Sequence, residues 1–475
     1  MAGNESPSGT APRGEYDLIV LGGGAAGLAA VGSARRAGAR TLLVTEGPPG
    51  GDCTFTGCVP SKTLIEAAAH GIPFGNAMAR VRDTVARIAA TEDEAALREQ
   101  GIEVLRGRAR FLDRDRIDVD GHPLHAARIV VATGTTPMVP TIDGLADTPY
   151  ATTDTIFDLT EPPKSLAILG GGATGCELAQ AFTRLGISMS IVENADRLLP
   201  GAEPEAAALM AEILAAEGIA IHTDTHVAAA RGDADGIVLH AATGRTISAQ
   251  RLLVATGRRP ATADLGLAAA RIDTDDRGFV VVDKHLATTA PGVYAAGDVT
   301  GLFGHTHAAY AMGRVAVGAA LRRVRRPTFD SAAIPQVVFT QPEVASVGAL
   351  ESEVTDSRAR VAFLPMSEVD RAIAADATTG FVKLIAGPRP FLGNTGGGRV
   401  LGATIVAERA GEVIAEPALA MSTGMFTGRL AHTAHAYPTW SIAVQQAAAQ
   451  FFGTYGGRTA RPVSAISQRR AVRSR

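Results

Sequence analysis

The chain has 475 residues, of which 46% are hydrophobic, and a formal net charge of -3 at pH 7. At roughly 150 residues per domain, this length predicts about three domains, each with enough apolar residues for a core. The small net charge provides no basic field of the kind that attracts nucleic acid or anionic lipid, so neither is expected as a partner. Small molecules or proteins are the expected ligands.

The ends of the chain and its cysteines indicate a compartment. The first 14 residues lack a cationic start followed by an apolar core, so they are expected to be a disordered tail and not a signal peptide. Only three cysteines occur, which does not fit a secreted disulfide framework, and we expect a cytoplasmic protein. The apolar stretch from Leu18 to Ala34 is too short and too rich in glycine to span a membrane.

The first predicted unit is a strand, a glycine cluster, a helix and a second strand that ends on an acid. Gly22, Gly24 and Gly27 form G-x-G-x-x-G directly after the first strand. Glycines there let the turn close and let the backbone approach a pyrophosphate, whose charge then lies at the helix N-terminus. Glu46, at the end of the second strand, is placed to accept hydrogen bonds from ribose hydroxyls. The alternative is a tight turn without a ligand, but strand, helix and acid together predict dinucleotide binding.

Two cysteines follow in the segment GGDCTFTGCVPSKTLIEAA. Cys53 and Cys58 have C-x-x-x-x-C spacing, which can close a disulfide if the intervening turn is bent. Pro60 suits the first turn of a helix. Thiols at a helix N-terminus have lowered pKa values and are better nucleophiles and leaving groups. Two structural core cysteines are the alternative, and a zinc site would need ligands that the segment lacks, so we predict a redox-active pair and no metal ligands.

A second unit repeats the first in the segment SLAILGGGATGCELAQAFTRLGISMSIVE. Gly170, Gly172 and Gly175 form its glycine pattern, and Glu193 occupies the position of the acid. An acid there repels a 2′-phosphate, which favours NADH over NADPH. Arg197 is close enough in sequence to complicate this preference, although use at the surface is the favoured interpretation.

The remaining elements also form a pattern. The strand-to-turn pieces IVVATGTTP and LLVATGRRP match each other, so the chain contains two related dinucleotide-binding modules. The strand in GVYAAGDVTG leads into a helix that begins near Thr306. From about Ile334, strand runs alternate with helical ones and predict a third, α+β domain.

These motifs, in this order, resemble the flavoprotein disulfide reductases, the family of lipoamide dehydrogenase, glutathione reductase and mercuric reductase. The resemblance runs from about Tyr16 to Phe452, and GDCTFTGCVPSK is most similar to the mercuric reductase branch. It implies an α/β fold with two Rossmann-like dinucleotide-binding domains, for FAD and NAD, and a C-terminal α+β dimerisation domain. The implied limits are a disordered tail at 1–14, an FAD-binding domain at 15–150 and 273–333, an NAD(P)-binding domain at 151–272, an interface domain at 334–456 and a basic disordered tail at 457–475.

The resemblance also implies roles for the reactive residues. Cys58 corresponds to the thiol next to the flavin, where it forms the charge-transfer pair, and Cys53 to the interchange thiol that meets the substrate. Lys62 matches the lysine beside the flavin N5 edge, and Glu177 matches its ion-pair partner. Such a pair can hold the flavin edge in a fixed field. For Glu177 a solvated helix residue is the alternative.

Further cofactor contacts are implied in the same way. Asp298 matches the aspartate that binds the FAD ribityl chain, and the helix starting near His307 is expected to aim its N-terminus at the flavin pyrimidine. His307 is alternatively a simple helix-start residue, and Cys176 is expected to be a small core side chain. The other implied FAD contacts are Ala26, Gly51, Asp52, Ala109, Thr133, Gly134, Gly297 and Ala308, and the other implied NAD contacts are Val227 and Gly257.

The sequence departs from the family at the C-terminal His-Pro-x-x-x-Glu element, which in the thiol reductases supplies a base across the dimer interface. Tyr437 takes the histidine position and Ile442 the glutamate position. A phenol has a pKa of about 10, so at neutral pH it cannot carry out the proton transfer that an imidazole provides. Efficient disulfide turnover is therefore not expected. His432 and His435 are nearby, but a shift along the chain changes where a side chain points, and neither is expected to substitute.

Tyrosine at this place is shared with mercuric reductases and favours a metal or another non-thiol acceptor. Those enzymes also use a C-terminal cysteine pair, and no cysteine follows Cys176 here, nor is an N-terminal metal-binding domain found. We therefore predict a homodimeric NADH-dependent FAD oxidoreductase, with NADPH as the second option, that reduces a metal ion such as Hg(II) or another small oxidant. Tyr437 of one subunit is expected near Cys53 of the other. The alternatives are a lipoamide-type disulfide reductase, a quinone reductase acting directly from the flavin, and a flavin-binding sensor without turnover.

Overall fold

The computed structural model describes residues 16–233, 235–322 and 324–463. The strands, numbered in chain order, are β1 (Leu18–Leu21), β2 (Thr41–Thr45), β3 (Glu103–Arg106), β4 (Ala109–Phe111), β5 (Arg116–Val119), β6 (His122–His125), β7 (Ile129–Val131), β8 (Thr135–Pro137), β9 (Ser165–Leu169), β10 (Ser188–Val192), β11 (Ala220–His222), β12 (Val227–Gly232), β13 (Ile237–Ala241), β14 (Thr246–Ala249), β15 (Arg251–Val254), β16 (Arg258–Pro260), β17 (Val293–Ala295), β18 (Gln336–Val338), β19 (Glu343–Gly348), β20 (Arg360–Pro365), β21 (Phe381–Gly387), β22 (Arg399–Ala407) and β23 (Arg461–Pro462). The α-helices are α1 (Ala25–Arg36), α2 (Gly51–Phe55), α3 (Cys58–Ala69), α4 (Phe74–Glu92), α5 (Glu94–Glu99), α6 (Ala173–Arg184), α7 (Pro204–Ala216), α8 (Thr306–Leu321), α9 (Asp370–Ala374), α10 (Ala410–Val413), α11 (Ala415–Ser422), α12 (Thr427–His432) and α13 (Ile442–Ala449).

The chain divides into two compact units, each made of several segments. Among the described residues, the first unit contains those up to Val59 together with Asp83–Pro137 and Arg258–Phe329. The second contains Pro60–Arg82, Met138–Gly257 and the residues from Asp330 onward. Each unit has its own sheets and cores.

The first unit is built on a five-stranded parallel sheet in the order β17-β7-β1-β2-β3. Every residue of β1 and β2 is buried, as expected for strands of a parallel sheet covered on both faces. Helices α1 and α8 are in close contact at Gly313, where a Cβ atom would lie 2.2 Å from the Ala26 carbonyl oxygen. Glycine at this position therefore allows the two helices to approach each other. A three-stranded sheet (β4-β5-β6) and a two-stranded pair (β16-β8) complete the unit.

The second unit holds a four-stranded parallel sheet, β11-β10-β9-β15, and a three-stranded antiparallel sheet, β12-β13-β14. It also holds a six-stranded antiparallel sheet in the order β18-β19-β22-β21-β20-β23. Buried residues of this larger sheet, such as Leu364, Leu384 and Ile405, form one core with Val444 of α13. The predicted α/β class, with two parallel Rossmann-like sheets and a C-terminal α+β part, is confirmed.

One prediction about the C-terminal end is wrong. The disordered tail was expected from residue 457, but Arg461–Pro462 forms β23 and pairs with Arg360 and Val361 of β20. Arg461 also donates hydrogen bonds of 2.6 Å and 2.9 Å to the carboxylate of Glu351. A two-residue edge strand and two ion pairs, Arg458 with Glu368 and Arg461 with Glu351, order this segment without any hydrophobic period. Residues 464–475, and the tail predicted at 1–14, lie outside the described residues.

No helix among the described residues is long and apolar enough to cross a membrane.

Candidate redox and dinucleotide sites

The first glycine loop connects β1 to α1 and is shaped by close backbone contacts. Gly22 has a φ of 109°, and a Cβ atom there would lie 2.2 Å from the Ala132 carbonyl oxygen. A Cβ atom at Gly27 would lie 1.9 Å from the Gly22 carbonyl oxygen, so both positions require glycine. Gly24 is the N-cap of α1 and has no heavy atom within 4 Å of its Cβ position. The loop therefore leaves open space at a helix N-terminus, which fits the pyrophosphate of a dinucleotide.

The segment after β2 returns to this loop. The Gly50 amide donates to the Gly23 carbonyl oxygen at 2.9 Å, and a Cβ atom at Gly51 would lie 2.7 Å from the Gly24 Cα atom. The helix α2, which carries Asp52 and Cys53, thus begins against the glycine loop.

Glu46 directly follows β2, and its side chain is exposed. Its Oε1 atom lies 3.6 Å from Nε of Arg108, the residue before the buried Ala109 on β4. The carboxylate at the end of this strand is open to solvent, and its contact with a ribose stays a prediction.

The two predicted redox cysteines lie together in the first unit. Cys53 is half-buried on α2, and Cys58 is exposed at the first position of α3. A hydrogen bond to Cys58 and burial raise the pKa of Cys53, while a hydrogen bond from Thr306 opposes this. The Cys58 sulfur lies 3.2 Å from Oγ1 of Thr306, the first residue of α8. The raised pKa keeps the proton on Cys53, while Cys58 lies at the first residue of α3 and beside the first residue of α8.

A cluster of charged residues lies beside the cysteines. Asp52 forms an ion pair with Arg258, whose guanidinium also donates to Thr135 through Oγ1 at 2.7 Å and the carbonyl oxygen at 2.9 Å. Burial raises the pKa of Asp298; the charge of Arg258 opposes this shift and that of Asp52 adds to it. One arginine thus compensates two acids at the place where the family resemblance puts the FAD ribityl chain.

Apart from Lys62, which belongs to the second unit, the other residues expected to contact FAD also fall in the first unit. Gly297 precedes Asp298, and its positive φ of 81° suits glycine. Thr133 Oγ1 donates to the Ala261 carbonyl oxygen at 2.9 Å, while Gly134 has open space around its Cβ position. His307 and Ala308 are the second and third residues of α8, so backbone N–H groups of the first turn are presented there.

In the second unit, Lys62 and Glu177 form an ion pair with Nζ 2.8 Å from Oε2. Oε1 of Glu177 accepts the Phe339 amide at 2.8 Å, and the Phe339 ring centroid lies 4.5 Å from the Lys62 ammonium. Glu177 is 4% exposed, so the alternative of a solvated helix residue is wrong. The ion pair, the amide hydrogen bond and the ring contact together fix the position of the Lys62 ammonium group.

The second glycine loop repeats the geometry of the first. A Cβ atom at Gly170 would lie 2.4 Å from the Ala255 carbonyl oxygen, and one at Gly175 would lie 2.0 Å from the Gly170 carbonyl oxygen. Gly172 is the N-cap of α6 and has open space at its Cβ position. The second unit therefore also presents a cradle at a helix N-terminus that fits a dinucleotide.

Glu193, at the end of β10, is held against this loop. Its two carboxylate oxygens accept the amides of Gly171 at 2.6 Å and Ala195 at 2.7 Å. Arg197, by contrast, donates to the Pro200 carbonyl oxygen at 2.9 Å. The acid is therefore positioned at the cradle, while the arginine is bound by its own turn.

The remaining residues expected at the nicotinamide dinucleotide are less informative. Val227 is buried on β12, and Gly257 has a φ of 124° with only the Met138 methyl group near its Cβ position. Cys176 is fully buried, and its thiol donates to the Gly171 carbonyl oxygen at 3.4 Å. Burial raises its pKa to about 12, as befits a core side chain.

The element that departs from the family lies in the second unit. Tyr437 is exposed, and its hydroxyl donates to Oδ2 of Asp370 at 2.7 Å, a bond that raises the pKa of the phenol. His435 Nε2 lies 2.9 Å from the carboxylate of Glu416, and His432 Nδ1 donates to the Gly428 carbonyl oxygen. The phenol is thus ionised even less at neutral pH than a free tyrosine, and both histidines are already engaged.

Within the described segments, no group of three or more His, Cys, Asp or Glu side chains could hold a metal ion. Sequence reasoning missed two residues of these sites, Arg258 and Phe339. Arg258 lies in the repeated ATGxxP piece, where the replacement of threonine by arginine was an available signal. Phe339 contacts Glu177 through its backbone amide. Every residue except proline has such an amide, so the residue type gives no signal.

Comparison with known proteins agrees with this geometry. The family profile described as pyridine nucleotide-disulphide oxidoreductase matches residues 16–313, and the profile of its dimerisation domain matches residues 334–448. The chain is 37% identical over 465 residues to a mercuric reductase of Streptomyces lividans, covering 92% of this chain and 96% of the relative. It is 34% identical over 462 residues to a dihydrolipoyl dehydrogenase of Thermus scotoductus, covering 91% and 96%.

Solved structures show the same relationship. A copper(II) complex of the HOCl-induced flavoprotein disulfide reductase RclA from Escherichia coli superposes with a TM-score of 0.85 at 29% identity, covering 92% of this chain and 99% of that one. The family is FAD-dependent and uses NAD(P)H. The chain belongs to the pyridine nucleotide-disulphide oxidoreductases and is a flavoprotein disulfide reductase similar to mercuric reductase and lipoamide dehydrogenase.

Proposed function

We propose that the protein uses NADH to reduce a thiophilic metal ion, copper(II) or mercury(II), through the thiols of Cys53 and Cys58. The observation that carries the proposal is the hydrogen-bonded thiol pair, with Cys58 3.2 Å from the Thr306 hydroxyl. Soft metal ions prefer thiolate ligands, and two adjacent sulfurs satisfy an ion of low coordination number.

FAD fits the first unit because Gly22, Gly24 and Gly27 form an open cradle at the start of α1. The half-buried Asp298 follows Gly297, whose Cβ position lies 3.0 Å from the Ala26 Cβ atom on that helix. When bound, FAD supplies two-electron redox chemistry between the nicotinamide and the disulfide. Arg258 keeps the neighbouring acids compensated, and the first turn of α8 presents N–H groups that stabilise negative charge.

The protein's own thiols carry out the last transfer. The raised pKa keeps the proton on Cys53 in the resting dithiol. We propose that Cys58, which the family resemblance places next to the flavin, carries the charge that first attracts the metal ion. For copper, each sulfur gives up one electron, the proton of Cys53 leaves to solvent, the S–S bond forms, and two Cu(II) ions become two Cu(I) ions. NADH then returns two electrons to the disulfide, so one NADH supports the reduction of two Cu(II) ions or one Hg(II) ion.

A metal acceptor is supported by the residue at the C-terminal element. A disulfide acceptor needs a base that manages thiol protons, and Tyr437, with a pKa raised by Asp370, cannot provide one near neutral pH. The relatives include a mercuric reductase, and a similar structure is a copper(II) complex.

NADH is proposed as the preferred reductant because of Glu193. Its carboxylate is fixed at the second cradle by the Gly171 and Ala195 amides, where it repels a 2′-phosphate. The cytoplasm is the proposed compartment, since reduced thiols persist there. The dimerisation domain indicates a homodimer, and we propose that Tyr437 of one subunit lies near Cys53 of the other.

The test is anaerobic NADH oxidation with copper(II) or mercury(II) as acceptor, in the wild type and in Cys53→Ser and Cys58→Ser. Metal reduction is expected to fall by roughly a hundredfold or more in both variants, while a quinone that accepts electrons without thiols is still reduced. Metal reduction that persists in Cys53→Ser would contradict the thiol route.

The dihydrolipoyl dehydrogenase among the relatives makes lipoamide the competing acceptor. We expect lipoamide to be turned over slowly by the wild type and faster by Tyr437→His, because the histidine restores an imidazole at the family position. Rapid lipoamide turnover by the wild type would favour this second function.

A further inference from the structure

A carboxylate outside the family motifs lies next to the cysteine helix. Glu92 is the last residue of α4, and its Oε2 atom accepts a 2.8 Å hydrogen bond from Oγ1 of Thr54. Thr54 is buried on α2 and directly follows Cys53. At Gly50, a Cβ atom would lie 3.0 Å from the same oxygen, so the backbone before α2 also approaches the carboxylate closely.

The charge of Glu92 is not compensated. Among the described residues, no lysine, arginine or histidine forms an ion pair with Glu92, whereas Asp52, next to Cys53 on α2, is paired with Arg258. The hydrogen bond to Cys58, burial and the charge of Cys58 are the larger causes of the raised pKa of Cys53, and the negative charge of Glu92 adds to them. Glu92 is thus the uncompensated acid that acts on the interchange thiol.

We infer that Glu92 is a specificity-determining residue that makes the acceptor site at Cys53 favour cations over anions. A fixed negative charge raises the local concentration of a divalent cation and lowers that of an anionic disulfide, and both effects weaken with added salt. The hydrogen bond from Thr54 shows that the Glu92 carboxylate lies against α2, next to Cys53. The choice of a metal ion as acceptor rests on the proposed function. The effect of the Glu92 charge on charged molecules that approach Cys53 does not.

The first experiment measures charge selectivity at the reduced thiol, without any turnover. The protein is reduced with NADH under anaerobic conditions, and alkylation of Cys53 by neutral iodoacetamide and by anionic iodoacetate is followed by peptide mass spectrometry. In the wild type, the ratio of the iodoacetamide rate to the iodoacetate rate is expected to exceed that of Glu92→Gln by roughly threefold to tenfold at low ionic strength. Because both reagents attack the same thiolate, the ratio is independent of any change in the thiol pKa.

Two control variants separate charge from structure. Glu99→Gln changes the net charge by the same amount at an exposed position on α5, and should leave the ratio unchanged. Thr54→Val removes the hydrogen bond and keeps the carboxylate, so it should retain most of the ratio. A ratio that is equal in the wild type and Glu92→Gln, or that falls equally in Thr54→Val, would overturn the inference.

Steady-state kinetics then extend the test to acceptors. In Glu92→Gln, kcat/KM for copper(II) is expected to fall by roughly tenfold at low salt, and kcat/KM for the dianionic 5,5′-dithiobis(2-nitrobenzoate) to rise by a similar factor. If the wild type reduces no metal ion, the proposed function fails, while the alkylation ratio still decides the role of Glu92. Unchanged values for both acceptors would contradict the inference.

Discussion

Lys62 Nζ lies 2.8 Å from Glu177 Oε2, and the two residues are joined through Phe339, whose amide binds the second carboxylate oxygen at 2.8 Å. Glu177 is buried, so its charge depends on this ammonium and this amide. The sequence separates Lys62 from Glu177 by 115 residues, yet the fold holds them as one unit.

The first prediction concerns this pair. Glu177→Gln leaves the half-buried Lys62 ammonium without an anionic partner, which should lower the free energy of unfolding by about 2 kcal/mol. NADH oxidation should slow as well, since Lys62 loses its fixed position. Chemical denaturation measures the first effect, with the exposed Glu66→Gln on α3 as a control that should change stability by less than about 0.5 kcal/mol. Equal stabilities of the two variants would show that the pair is not a structural unit.

Arg258 provides the second prediction, which concerns FAD affinity. Arg258→Gln leaves Asp52 and the half-buried Asp298 uncompensated near a cofactor that itself carries a pyrophosphate, so the dissociation constant for FAD should rise by roughly tenfold or more. Titration of the apoprotein with FAD, followed by flavin fluorescence, measures it. The double variant Asp52→Asn/Arg258→Gln should recover much of the affinity. A double variant as weak as the single one would mean that Arg258 acts only through Thr135.

These residues show what could be predicted from the sequence. The two glycine loops, their acids and the cysteine pair were accessible because each is a local pattern whose geometry the chain fixes within about 30 residues. The parallel sheets followed from the same patterns. The Asp52–Arg258 pair was not accessible, because 206 positions separate its members and only the folded chain brings them together.

The C-terminal end shows a different limit. Arg461–Pro462 has no apolar period, and its order comes from pairing with β20 and from the ion pair with Glu351. Glu92 was missed for a related reason, since an acid at the end of a polar helix is typical of a solvated surface. Its importance depends on the hydrogen bond to Thr54, which only the fold reveals.

The third prediction concerns the choice of nicotinamide. Glu193→Gln removes the fixed charge at the second cradle, so the ratio of kcat/KM for NADH to that for NADPH should fall by roughly tenfold. Arg197→Gln should leave the ratio unchanged, because Arg197 is bound to the Pro200 carbonyl oxygen. Both ratios come from initial rates with a single quinone acceptor. A wild type that prefers NADPH would show that Glu193 does not select the cofactor.

The fourth prediction is a loss of stability in acid. Burial opposes ionisation of Glu351, but hydrogen bonds from Arg461 and Lys383 outweigh it and lower the pKa of Glu351 to about 2. Because the folded state favours the ionised form, Glu351 contributes its full stabilisation above about pH 4.3, the pKa of a glutamate in the unfolded chain. This contribution is lost as the pH falls toward 2. The shift corresponds to about 3 kcal/mol of unfolding free energy, on the order of 1.4 kcal/mol per pKa unit.

Glu203 beside it acts in the opposite direction, because burial raises its pKa and the folded state gains stability as this group takes up its proton. The variant Glu351→Gln isolates the effect of Glu351. The difference in unfolding free energy between wild type and variant, measured by urea denaturation, should be large at pH 6 and small at pH 2.5. A difference that does not depend on pH would contradict the assignment to Glu351.

The most direct test of the central claim is to label the thiols of the wild type with iodoacetamide under anaerobic conditions, before and after one equivalent of NADH. If electrons from NADH pass through the cysteine pair, Cys53 and Cys58 are unlabelled in the oxidised protein and become labelled together after NADH, while the buried Cys176 stays unlabelled throughout. If the labelling of Cys53 and Cys58 is the same with and without NADH, the pair does not carry the electrons and the account is wrong.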